Sequence, residues 1–162
     1  EWNIAMSAIK TTSINPDQLL EFIGFEPEPT DWHTVTQEQI DQFADCTFDH
    51  QYIHVDPVKA KETLFGSTIA HGFLSVSLLS HFAKQFSITI NGCFMAVNYG
   101  FDRLRFVSPV AVDSRIRARA KYLEIEQKKE GQFQLKVEVV IEIEGSDRPA
   151  LICEWLILQM VK

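Results

Sequence analysis

Three cysteines, Cys46, Cys93 and Cys153, are all that 162 residues contain. The set is odd in number, widely scattered and free of any CxxC spacing, so neither a disulfide framework nor a zinc ribbon is indicated. A reducing, cytoplasmic setting is the expectation. Basic residues are also few, 15 Lys and Arg against 22 Asp and Glu for a net charge of −7. No basic block is long enough to follow a phosphate backbone, so nucleic acid is not an expected partner. Long apolar runs are missing as well. The longest, "IAHGFLSVSLLSHFA" at 69–83, is broken by Ser75, Ser77, Ser80 and two histidines. It falls short of the roughly 20 residues a membrane span needs, and no membrane association is expected. The opening "EWNIAMSAIKTT" has no basic segment followed by an apolar core, which argues against a signal peptide. Met6 reads as the natural start, with residues 1–5 an appendage. Internal repeats, low-complexity tracts and linkers are likewise not evident.

What is there suits one domain. A chain of this length can bury roughly two thirds of the surface its unfolded form exposes. Residues 16–162 are expected to form that domain, with 1–15 an N-terminal extension that is in part appended or flexible. In "VTQEQIDQFA" (35–44), Thr36 is placed to cap a helix and Gln39 to reach back to it, with Val35 and Ile40 spaced as a hydrophobic staple. This helix should end near Thr47, leaving "DHQYIH" (49–54) in the loop after it. Asp56 followed by Pro57 starts a short second helix. From Gly72 to Phe86, apolar residues recur at three- and four-residue steps and cover most of the girth, the pattern of a helix buried inside a larger structure.

The second half supplies the cover. "RIRARAKY" (115–122) and "QFQLKVEVVIEIEG" (132–145) alternate with period two, as half-solvated antiparallel strands do. Turns are marked at Glu130-Gly131 and Gly145-Ser146-Asp147, and "ALICEWLILQMV" (150–161) reads as a last strand. "CFMAVNYGFDRLRF" (93–106) is a further strand, with a bulge expected at Gly100. The fold class is therefore α+β, an antiparallel sheet wrapped around a long central helix.

Chemistry is concentrated in two short stretches. Asp49 and His54 share a loop, and a carboxylate and an imidazole held against one water can remove and deliver protons near neutral pH. His71 and Gly72 open the central helix, where free N–H groups can meet a carbonyl oxygen that a glycine lets approach closely. A metal held by Asp49, His50, His54 and His71 is a second possibility, but no HExxH or facial-triad context supports it. His33 and His81 read as structural, and Cys46 as a small hydrophobe rather than a nucleophile.

"FADCTFDHQYIHVDPVKA" (43–60), "FGSTIAHGFLSVSLLSHF" (65–82) and "VNYGFDRLRFVSPVAVDSRIRARA" (97–120) resemble, in order and spacing, the MaoC-like dehydratase family, especially its branch similar to nodulation protein N. The resemblance runs from about Trp32 to Val161. It implies the hotdog fold and the activity of (R)-specific enoyl-CoA hydratases, which add water to trans-2-enoyl thioesters. It implies catalytic roles for Asp49 and His54, a thioester-binding amide at Gly72 and a helix serine at Ser80, with Ser75 and Ser77 as neighbouring alternatives, and His71, Phe48 and Tyr52 toward the substrate. An acyl-CoA partner, a homodimer, and no metal or redox cofactor follow in the same way. Arg103, Arg105, Arg115 and Lys121 are candidates for the coenzyme A phosphates. The sequence departs from the family signature Gly-Asp-x-Asn-Pro-Leu/Ile-His at Phe48 and at Gln51-Tyr52, which bears on substrate identity. A hotdog thioesterase and a non-catalytic acyl-CoA-binding module remain as alternatives, and the acid and base of the pair stay unassigned.

Overall fold

The computed structural model describes residues 12–162. Met6 and most of the expected extension lie outside the described residues. Strand β1 (Thr12–Ile14), taken at first as extension, pairs in parallel with β3 (Ile88–Ile90) and so belongs to the domain. A 3-10 helix follows at Pro16–Phe22, then β2 (His33–Thr34) and helix α1 (Gln37–Thr47). Thr36 caps α1 by accepting from the Gln39 N–H at 3.2 Å, and Val35 and Ile40 are both fully buried. The Gln39 side chain does not reach back to Thr36; its Oε1 bonds His33 Nε2 at 2.9 Å instead. Asp56 caps α3 (Pro57–Lys61) through the N–H groups of Val58 and Lys59.

The central helix is interrupted. It runs as α4 (Gly72–Ser77) and α5 (Leu79–Phe86), joined at Leu78. The Leu78 and Phe82 N–H groups still bond the carbonyls of Leu74 and Leu78, so the axis continues through the break. Leu74, Leu78, Leu79, Phe82 and Phe86 are buried, whereas Phe73, Ser77 and Ser80 face outward. The helix, expected to be buried over most of its girth, is open along the side that carries Phe73, Ser77 and Ser80.

Strands β4 (Cys93–Phe106), β5 (Arg115–Lys129), β6 (Gln132–Ile143) and β7 (Leu151–Val161) form, with β2, an antiparallel sheet of order β2-β5-β6-β7-β4. Ile116, Ala118, Ala120 and Tyr122 of β5, and Phe133, Leu135, Val137, Val139 and Ile141 of β6, turn one face onto the helix, as period two requires. The β4–β7 register shifts between Asn98 and Gly100, the bulge expected there. Buried polar groups lock the helix to the sheet. Tyr122 Oη donates to the Phe86 carbonyl and accepts from the Ile88 N–H, and Gln159 bonds the Ile88 carbonyl and the Ile90 N–H. The two sheet edges differ. β2 has two residues, too short to recruit another strand, while β4 has fourteen and leaves Phe94, Met95, Val97, Tyr99 and Phe101 exposed.

Candidate active site

The turn after α1 is made by Phe48, whose φ of +61° lies in the left-handed region that favours glycine. That is where the family signature carries glycine; here the ring stands 88% exposed. Asp49 follows with its side chain also largely exposed, and its Oδ1 accepts from the Gln51 N–H at 3.4 Å. The chain then turns once as α2 (Tyr52–Val55), so His54 sits on a helical turn rather than in an open loop, and is buried.

His54 is held from both sides. Its Nδ1 lies 2.6 Å from the Ile69 carbonyl, and its own carbonyl accepts from Gln37 Nε2 at 2.8 Å. Gln37 Oε1 in turn accepts from the buried Thr68 hydroxyl. The strip Thr68–Ala70 is itself fixed. The Ile69 N–H bonds the Ile53 carbonyl, the Ala70 N–H bonds the Val110 carbonyl, and the Val112 N–H bonds the Thr68 carbonyl. A carbonyl can only accept, so Nδ1 of His54 carries the hydrogen and Nε2 keeps its lone pair. Burial lowers the His54 pKa below the usual 6.5. The Ile69 hydrogen bond opposes that shift, His71 adds to it and Asp49 opposes it.

His71 stacks on His54 with ring centroids 3.8 Å apart and planes 24° apart. Its Nε2 donates to the Asp49 carbonyl at 2.9 Å, tying the acid's backbone to the start of the central helix. Its Nδ1 is buried without a partner among the described residues. One donor atom each from Asp49, His54 and His71 lies within 4.8 Å of the others, close enough to suggest an ion. Each ring donates one N–H to a backbone carbonyl, leaving Nε2 of His54 and Nδ1 of His71 with their lone pairs, an arrangement as open to a water as to an ion.

A cleft of about 440 Å³ opens beside this group, lined by His54, Gly72, Ser75, Phe106 and the Ser108–Val110 turn. The Gly72 N–H is the first of α4 and has no partner within the helix. A feature the sequence did not disclose is that a Cβ there would stand 2.9 Å from Cε1 of Phe106, so that the ring would have to shift.

Asp49, His54, His71 and Gly72 are thus brought together. Ser80 is not beside them; it lines a separate cleft with Val76, Asn98 and Tyr99. Phe48 and Tyr52 flank the acid at the surface and do not line the cleft. His50 pairs with Asp45, and His33 and His81 pack against each other. Cys46 is exposed on the end of α1, not the buried hydrophobe expected, because its position falls on the solvent side. Lys121 is paired to Glu26 and Arg115 to Glu144, while Arg103 and Arg105 on β4 make no ion pair among the described residues. Gln37, Ile69 and Phe106 went unrecognised in the sequence, and it is Ser75, a neighbouring alternative to Ser80 there, that lines the cleft.

Residues 19–144 match the MaoC-like domain family. The chain is 44% identical over 128 residues to 3-hydroxyacyl-thioester dehydratase Z of Mycobacterium tuberculosis, covering 79% of this chain and 84% of that protein. It is 46% identical over 135 residues to nodulation protein N of Rhizobium leguminosarum bv. viciae, covering 83% and 84%. Among solved structures, the monoamine oxidase regulatory protein from Archaeoglobus fulgius is similar with a TM-score of 0.76 at 24% identity, covering 93% of this chain and 99% of that one. The (R)-hydratase from A. caviae involved in PHA biosynthesis gives 0.68 at 22% identity, covering 83% and 94%. These two likenesses establish the shared hotdog fold. From the match over most of its length and the relatives above 40% identity, the chain belongs to the MaoC-like dehydratase family.

Proposed function

We propose that the protein is a hydro-lyase that adds water to trans-2-enoyl-CoA thioesters to give (R)-3-hydroxyacyl-CoA, or runs the reverse dehydration. One observation carries this: an imidazole of fixed tautomer with a carboxylate within 4.8 Å lines one apolar cleft together with a helix-start N–H that has no partner among the described residues. His54 Nε2 is the base. It takes a proton from a water that Asp49 orients by accepting its other hydrogen. The water oxygen bonds C3, the C2–C3 pair shifts toward the thioester, and the enolate oxygen that develops is held by the Gly72 N–H. The His54 imidazolium then returns the proton to C2, and the thioester carbonyl re-forms. His71 keeps the Asp49 backbone in place and stacks beneath the working ring. No step needs a metal or redox group.

Arg103 and Arg105 are the cations left to meet the coenzyme A phosphates, since Arg115 and Lys121 are taken by glutamates. The open β4 edge, with its exposed Phe94, Val97 and Phe101, supports a homodimer built on that strand.

The test is a series of trans-2-enoyl-CoAs of increasing chain length given to the purified protein and read by mass spectrometry. Gain of one water by at least one of them is expected. Free thiol without that gain would show hydrolysis instead, and tight binding without turnover would show a binding module.

A further inference from the structure

Ser75 is only 4% exposed and lines the cleft together with His54 and Gly72. A helical serine buried this deeply usually satisfies its hydroxyl by bonding the carbonyl four residues back. Ser77 does so, donating to the Phe73 carbonyl at 2.8 Å. Ser75 does not, although its N–H takes the His71 carbonyl at 3.4 Å, and its Oγ has no hydrogen-bond partner among the described residues. Nor is that oxygen sealed in. Among the described residues the wholly enclosed polar side-chain atom without a partner is His71 Nδ1, so the Ser75 hydroxyl keeps an opening, and what the residue lines is the cleft. A hydroxyl with no protein partner that opens only onto a cleft is free to donate to whatever fills that cleft.

Direction identifies the partner. Side chains on a helix lean toward its N-terminus and cover the preceding turn, so residue 75 overlies the turn that begins at Gly72. An enoyl thioester has a single carbonyl oxygen near the reacting carbons, and oxyanion sites for such atoms commonly use more than one donor. We propose that the Ser75 hydroxyl is the second hydrogen-bond donor to the thioester oxygen, acting with the Gly72 N–H; the reaction it serves rests on the hydratase reading. Ser75 is then a catalytic residue that polarises the carbonyl while His54 and Asp49 handle the water.

Two measurements separate this claim from the reading it rests on. In steady-state hydration of crotonyl-CoA, Ser75→Ala should lower kcat roughly 100-fold with KM changed by less than about threefold, and Ser75→Thr, which keeps the hydroxyl, should recover most of it. In infrared difference spectra with butyryl-CoA labelled with 13C at the thioester carbon, which cannot turn over, the carbonyl band should fall in frequency on binding to the wild type. Ser75→Ala should lose part of that fall. Full activity and an unchanged band in Ser75→Ala would overturn the assignment and leave hydration standing. A band that depends on Ser75 in a protein that hydrates nothing would sink the hydratase reading and keep the contact. No carbonyl shift in either protein would overturn the assignment too.

Discussion

Two histidine pairs flank the first turn of α1, one buried (His54 and His71) and one nearer solvent, with His33 half-buried and His81 exposed. His54 and His71 stack at 3.8 Å, while His33 and His81 lie 5.2 Å apart with planes tilted by 55°. Each pair contains one imidazole whose pKa is lowered chiefly by burial, His54 in one and His81 in the other. Each is braced by a glutamine of α1, Gln37 for the first and Gln39 for the second. A lowered pKa therefore does not mark the working histidine. What differs is where the nitrogens lead. His54 has Nδ1 committed to a backbone carbonyl, lines the cleft and has a carboxylate within 4.8 Å. His33 has its Nε2 taken by Gln39, and the charged neighbour acting on His81 is Lys84, which cannot hold a water as a carboxylate does.

The sharpest way to break this contrast is to delete one ring from each pair. His54→Ala should lower kcat about 1,000-fold, within the usual range for a lost general base, whereas His81→Ala should change it less than threefold. Enoyl-CoA hydration measured on both variants checks this, and equal losses would erase the distinction.

Changing the proton supply probes the same difference less severely. Because burial holds the His54 pKa below 6.5, the imidazole is neutral and able to accept a proton above that value. The profile of kcat/KM against pH should climb through an apparent pKa below 6.5 and flatten above it. The sign for stability is the same. A histidine with a depressed folded pKa contributes stability that is fully present above 6.5 and fades as pH falls through the folded value, so both His54 and His81 weaken the fold in acid. A rate that instead declines from pH 6 to 7 would make His54 an acid in the rate-limiting direction.

The braces give the smallest effect. Gln37→Ala frees the His54 carbonyl and the Thr68 hydroxyl, and a slightly misplaced base should cost about tenfold to a hundredfold in kcat. Gln39→Ala should leave turnover intact and cost about 1 kcal/mol in denaturant unfolding. Parallel assays and urea titrations of the two variants compare them directly.

Much of this architecture was legible in the chain because the signals were local. The Thr36 and Asp56 caps, the alternation in β5 and β6, and the Gly100 bulge all depend on neighbours a few residues apart, where backbone geometry dictates side-chain spacing. The Asp49–His54 step was visible for the same reason. Partners from distant segments were not. Gln37 reaches His54 across 17 positions, and the Phe106 ring that crowds position 72 comes from the sheet's edge strand. Ser75 and Ser80 could not be told apart by counting either. The same apolar repeat surrounds both, and only the way α4 meets the sheet turns one into the cleft and the other away from it.

Alternation, capping residues and the spacing of one acid and one imidazole are properties of consecutive residues, and they determined the α+β plan and the position of the reactive pair. The tautomer of His54, the open hydroxyl of Ser75 and the exposed β4 edge were decided by the tertiary structure alone. Each depends on which carbonyl, ring or empty space a fold brings within a few ångströms, and separation along the chain carries no record of that distance.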